Sequence, residues 1–299
     1  MGESLAVIAL CSALGDSQPS TQVLPETEAA STEPWVETLL FGSAKDVKRL
    51  LDSGFDANSA TKSGGVTALM LATPDVGKMK LLLERGANPD ARSRHKFSAL
   101  LVAAQYSGSS AAMNLLLDYG AKVRMPPGQG APFFNASPIM LAAMSGNSEI
   151  IGRLVQQGDR VDSKMNLLGF FPITPMLYLA STHRTGTMTA LLDAGAKIDG
   201  TDGDGITTLS WSAIANRTDM ARLLIGRGAD VNHVDKKGMT PLLYAASIDF
   251  GDSAMVDLLL QSGANRNART PEGLTALELA QKYKHTHLLA SLERPLAAR

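Results

Sequence analysis

Cysteine is almost missing from this chain of 299 residues. Cys11 stands alone, which excludes an internal disulfide and any metal site built on several thiolates. Aromatic residues make up 5% of the chain, too sparse for a platform on which nucleobases stack. Neither sign of charge is in excess: 28 basic residues face 29 acidic ones for a net charge of −1, so no basic field exists to hold a phosphate backbone. No apolar run reaches the ~20 residues that a membrane-crossing helix needs. The motifs of catalysis are missing as well: G-x-S-x-G, a glycine-rich phosphate loop, H-E-x-x-H and C-x-x-C-H do not occur. No nucleophile–base pair stands out, and no cofactor or metal is expected. Asp199, Asp202 and Asp204 before Gly205 faintly suggest a calcium loop, but Gly200 stands where that series would start and Trp211 where its closing glutamate belongs. His285 and His287, two apart on an expected helix, face different directions and do not suit one metal.

What is present is a recurring unit. The clearest copy runs from Asp230 to Ala246, reading D-V-N-H-V-D-K-K-G-M-T-P-L-L-Y-A-A. Thr240 suits a helix N-cap, and Pro241 the first helical position, where its missing N–H costs nothing. Ala245 and Ala246 let a second helix approach closely, and Gly263 suits the left-handed residue that ends a helix. Each unit therefore reads as turn, short helix, short helix, glycine stop. The helix-start residue recurs as Thr67, Ser98, Ser137, Thr174, Thr207, Thr240 and Thr275, in steps of 31, 39, 37, 33, 33 and 35. The stop recurs as Gly54, Gly86, Gly120, Gly158, Gly195, Gly228 and Gly263, in steps of 32, 34, 38, 37, 33 and 35. Two landmarks that drift together mark a repeat of about 33 residues.

At these residues the chain resembles the ankyrin repeats. The resemblance is carried by T-P-L-L-Y-A-A (240–246), T-P-M-L-Y-L-A (174–180), S-P-I-M-L-A-A (137–143) and S-A-L-L-V-A-A (98–104). With them go L-L-E-R-G-A-N-P-D (82–90), L-L-D-A-G-A-K-I-D (191–199) and L-L-I-G-R-G-A-D-V-N (223–232). It covers residues 34–294 and resembles an array of about eight units, of the bacterial type. It implies an all-α solenoid of helix–turn–helix units with projecting finger turns. The family often carries a histidine after Thr-Pro-Leu. Here that place holds Met70, Leu101, Met140, Leu177, Ser210, Leu243 and Glu278, so the ladder between units is expected to be mostly apolar.

Outside the array, residues 5–14 form an apolar run; Ala13 and Gly15 are small residues two apart, and Asp16 follows. Residues 1–15 are read as a secretory leader, with export to the periplasm favoured over the cytoplasm. No lysine or arginine precedes Lys45, and a locally packed N-terminus is the other reading. Residues 16–34 are polar, acidic and proline-bearing, and read as a disordered linker. The array spans 35–294, with Trp35 and Phe41 packing on the second unit as a cap, and 295–299 form a tail.

Two fingers are longer than the rest, by about six and about four residues relative to the unit. Both end in Phe-Phe. Phe133, Phe134, Leu167, Leu168, Phe170 and Phe171 are therefore candidate partner-binding residues, with mutual packing of the two loops as the alternative. The charged fingers supply the others: Arg94 and Lys96 beside Arg92 and His95, then Asp202 and Asp204, then Lys236 and Lys237. Tyr178, Trp211 and Tyr244, spaced 33 apart, form an aromatic stripe expected to pack between helices. The resemblance implies a monomeric, non-enzymatic module for a protein partner, without nucleic acid or membrane span. The alternative is a sensing or docking component of an enzyme or redox system whose catalytic part is on another chain.

Overall fold

A computed structural model describes residues 33–124, 137–167 and 171–294. Among them sixteen helices follow one another in pairs: α1 (Pro34–Phe41) and α2 (Ala44–Asp52), α3 (Ala68–Ala72) and α4 (Val76–Glu84), α5 (Ala99–Ala104) and α6 (Ser110–Asp118). Next come α7 (Pro138–Ser145) and α8 (Ile151–Gln156), with a 3₁₀ turn at Ser148–Ile150 between them. The remaining pairs are α9 (Pro175–Leu179) and α10 (Thr185–Asp193), α11 (Thr208–Ile214) and α12 (Thr218–Gly226), α13 (Pro241–Ser247) and α14 (Ala254–Gln261), α15 (Ala276–Lys282) and α16 (Thr286–Glu293). Two short strands, β1 (Met165–Leu167) and β2 (Phe171–Ile173), pair in the fourth finger.

The chain divides into two compact units, which meet in sequence between Phe171 and Pro172. In the N-terminal unit the first helices stack α1 on α3, α3 on α5 and α5 on α7, and the second helices α2 on α4 and α4 on α6. In the C-terminal unit α9, α11, α13 and α15 form one row and α10, α12, α14 and α16 the other. Helices this short do not hold alone in water; the stacking supplies the stability.

The local chemistry explains why each pair begins and ends where it does. All seven expected helix-start residues are N-caps whose hydroxyl accepts the N–H three residues on, from Thr67 with Met70 to Thr275 with Glu278. Each cap contributes about 1 kcal/mol. Thr275 and Glu278 close a full capping box. All seven stop glycines lie in the left-handed region, with φ between 84° and 95°. At Gly86 the turn closes through Gly86 N–H to Leu83 O and Ala87 N–H to Leu82 O, the double bond of a Schellman stop.

Between the rows the core is aliphatic and small: Leu100, Ala103, Ala104, Ile139, Ala142 and Ala143 are 0–1% exposed. Met70, Leu101, Met140, Leu177 and Leu243, at the place where the family often carries histidine, are buried, and Ser210 is buried against Thr207 Oγ1. Glu278 is the exception, exposed within its capping box.

Polar rungs also join neighbouring pairs. Lys78 Nζ donates to Leu39 O (2.9 Å), Asn147 Nδ2 to Tyr106 O (2.8 Å), Arg217 Nε to Ser181 O (2.9 Å) and the His285 ring to Ala246 O (3.0 Å). A second series links the turns after the stop glycines. Asn58 donates to Gly86 O and accepts from Asn88 N–H, Asp90 accepts from Lys122 N–H, and Arg124 donates to Gly158 O. Asp199 accepts from Asp230 N–H, and Asn232 donates to Gly263 O while accepting from Asn265 N–H.

Phe41 departs from expectation. It does not pack as a cap but is 85% exposed. Leu39 is the buried residue of α1, and a residue two positions further on points about 200° round the helix, away from the stack. Trp35 packs within its own unit, with its ring 5.3 Å from that of Phe55 just past the first stop glycine.

Candidate functional site

In the C-terminal unit the fingers before α11 and α13 are built alike. Asp202 Oδ1 accepts the N–H groups of Asp204 (2.9 Å) and Ile206 (3.0 Å), and its Oδ2 accepts the Trp211 indole N–H at 2.8 Å. Thirty-three residues on, Asp235 Oδ1 accepts the N–H groups of Lys237 (2.8 Å) and Met239 (2.9 Å), and its Oδ2 accepts the Tyr244 hydroxyl at 2.6 Å. Each carboxylate thus closes its finger and grips the aromatic of the helix below. Burial pushes the Tyr244 hydroxyl well above the usual phenol range, and its bond to Asp235 adds to the shift. Asp202 thus has a structural role within its finger. The carboxylates of Asp199 and Asp202 serve backbone N–H groups and the indole, as in an ordinary finger turn.

Neighbouring fingers are tied tip to tip. Lys236 N–H donates to Asp204 O (3.0 Å), its ammonium to Gly203 O (2.7 Å), and Lys237 Nζ pairs with Asp204 at 2.7 Å. The Asp204 carboxylate holds the Lys237 ammonium above its usual range. The His233 ring donates to Gly205 O at 2.9 Å. Gly238, with φ of 71°, is required where it stands: a Cβ there would meet Pro271 of the next finger at 3.0 Å.

The first and second fingers of the N-terminal unit are joined the same way. Arg94 N–H donates to Gly64 O (2.9 Å), and Arg94 Nη1 to Ser63 O (2.7 Å). Lys96 is exposed and left-handed, with φ of 67°, and its carbonyl accepts from Arg92 Nη1. Arg94 and Lys96 thus belong to one unit, and Asp202, Asp204, Lys236 and Lys237 to the other.

The aromatic stripe splits in its environment. Tyr178 is 5% exposed, whereas Trp211 and Tyr244 are half-buried. Of the insertion residues, Phe133, Phe134, Leu168 and Phe170 lie outside the described residues. Leu167 and Phe171 are described only as backbone of β1 and β2. Among the described residues no group of acids, histidines and cysteines is arranged to hold a metal, and no helix is long and apolar enough to cross a membrane.

A family model described as ankyrin repeats, in three copies, matches residues 37–126, 139–235 and 224–293. An ankyrin repeat protein of fowlpox virus (strain NVSL) is 32% identical over 107 residues, 35% of this chain and 15% of that relative's length. The chain therefore spans well under a fifth of that relative. The family match covers most of the paired helices, their caps and their glycine stops. This chain belongs to the ankyrin repeat family, whose members generally serve as protein–protein interaction modules.

Proposed function

We propose that this chain is a non-catalytic scaffold that binds a protein partner along its first helices and finger turns. The observation that carries the reading is the pairing of Trp211 with Asp202 and of Tyr244 with Asp235. Large aromatics that are only half-buried, with their polar ends already bonded, lose little freedom when a partner covers them. Asp204, Lys236 and Lys237, exposed beside them, set the orientation of the partner in this reading. On sequence grounds the Phe-Phe insertions add a second contact, with Phe134 and Phe170 as its anchors.

The test is comparative capture from extract of the source cells. Trp211→Ala with Tyr244→Ala is expected to lose the captured partner. Arg227→Ala, which breaks only the 2.8 Å pair with Asp193 between second helices, is expected to keep it. Phe134→Ala with Phe170→Ala is expected to weaken capture by about 2 kcal/mol with little change in Tm. Loss with Arg227→Ala and retention with the aromatic variants would place the binding face on the second helices instead.

A further inference from the structure

We propose that the first two fingers of the N-terminal unit form a docking edge for an acidic protein segment. This rests on the reading of the chain as a protein-binding module and names the chemistry of one contact. The hairpin stretches are 59–66, Ser-Ala-Thr-Lys-Ser-Gly-Gly-Val, and 91–97, Ala-Arg-Ser-Arg-His-Lys-Phe. Together they hold Lys62, Arg92, Arg94 and Lys96 with His95, and no acidic residue at all. The two bonds from Arg94 to Ser63 and Gly64 lock these tips side by side, so the charges form one edge. Lys62, Arg94, His95 and Lys96 are all exposed.

Elsewhere in the same unit many of the cations are paired. Lys48 and Arg85 pair with Asp52, Lys80 with Glu84, Lys122 with Asp90 and Arg153 with Asp118. Among the described residues no such ion pair reaches Lys62, Arg94 or Lys96. The equivalent fingers of the C-terminal unit supply the contrast. There Asp202, Asp204 and Asp235 accompany Lys236 and Lys237, and the Lys237–Asp204 pair at 2.7 Å neutralises the tips internally. The first two fingers thus differ from the fingers before α11 and α13, whose tips carry their own acids.

A second observation is that one carboxylate of the chain already lies at this edge, held by a backbone N–H. Glu33 places Oε1 3.3 Å from the Lys62 N–H, while its Oε2 accepts the Trp35 indole N–H at 2.6 Å. One acid of the chain itself is already seated at the end of the row, and the lysines and arginine beyond it are open to further acids. Single exposed ion pairs are weak, but several on one rigid edge add up and steer the approach of an acidic segment.

The test is fluorescence anisotropy with a labelled peptide of about ten glutamates, a neutral Ser/Asn peptide of equal length, and a thymidine oligonucleotide, at about 0.05 M and about 0.5 M salt, where the Debye length falls from ~14 Å to ~4 Å. Lys62→Glu with Lys96→Glu is the decisive variant, since neither side chain ties the fingers together; Arg94 is left in place. The full chain is expected to bind the glutamate peptide over the neutral one. The double variant should bind it at least about tenfold more weakly at low salt, with the gap closing at high salt. Lys62→Gln with Lys96→Gln should give an intermediate loss. Equal binding of acidic and neutral peptides, an unchanged double variant, or an oligonucleotide bound as tightly as the glutamates would overturn the proposal. Any of these results would leave the aromatic capture experiment standing, because that reads a different surface in the other unit.

Discussion

Asp159 stands directly after a stop glycine, where five of the seven equivalent places hold alanine: Ala87, Ala121, Ala196, Ala229 and Ala264. It is 8% exposed, and its carboxylate caps its own unit by accepting the N–H of Ile139 in α7 (2.9 Å) and that of Arg160 (2.9 Å). Burial raises its pKa to about 6, against the lowering pull of the two N–H bonds and of the nearby Arg124. The folded state therefore favours the protonated form. Its contribution is fully present below the ordinary carboxylate pKa and is lost as pH rises through about 6. A shift of this size corresponds to roughly 2–3 kcal/mol between pH ~4 and pH ~7. Asp159→Asn keeps one acceptor and cannot ionise. Urea unfolding of both proteins at the two pH values should show the variant gaining on the wild type by about that amount on moving to the higher pH. An identical difference at both pH values would show that the carboxylate is solvated rather than strained by burial.

At the scale of the element, the starts and stops of helices were legible, because one residue type does each job. Only a hydroxyl residue fills the seven N-caps and only glycine the seven left-handed stops. The ladder four residues after each stop was not legible. Asn58, Asp90, Arg124, Asp199 and Asn232 all reach the next turn, but as donor, acceptor or both, so the place varies among Asn, Asp and Arg rather than holding one residue type. The charged fingers were half legible: their composition was visible, but not that Asp202 is consumed by Trp211 or that Lys237 is taken up by Asp204. The ladder can be measured at Asn232, which donates to Gly263 O (3.1 Å) and accepts from Asn265 N–H (2.7 Å). Asn232→Ala abolishes both and should cost about 1–2 kcal/mol in urea unfolding. Asn232→Asp keeps the acceptor, as Asp199 does one unit earlier, and should cost less than alanine. Equal losses would mean that the donated bond carries the whole effect.

For the molecule as a whole, stability in a repeat protein is a sum of unit and neighbour terms, so the terminal pairs, with one neighbour each, open most readily. The two ends are nevertheless built differently. The first pair begins with α1, which has no side-chain cap, buries only Leu39 and leaves Phe41 85% exposed. The last pair begins at the Thr275–Glu278 capping box, and its final helix is tied by Arg266. That guanidinium donates from Nη1 to Leu292 O (2.8 Å) and from Nη2 to Ser291 O (3.4 Å), meeting the carbonyls that the end of α16 leaves unpaired. His285, 7% exposed and bonded to Ala246 O, fixes the same pair to α13. Native-state hydrogen exchange read by mass spectrometry should therefore find α1 exchanging faster than α16. Arg266→Ala should raise exchange in α16 by about tenfold, since hydrogen bonds from a charged group typically contribute ~1.5–3 kcal/mol, and leave α1 unchanged. Faster exchange in α16 than in α1 for the unmodified chain would overturn this ranking, since both the polar ties and the larger buried face of α16 favour its protection.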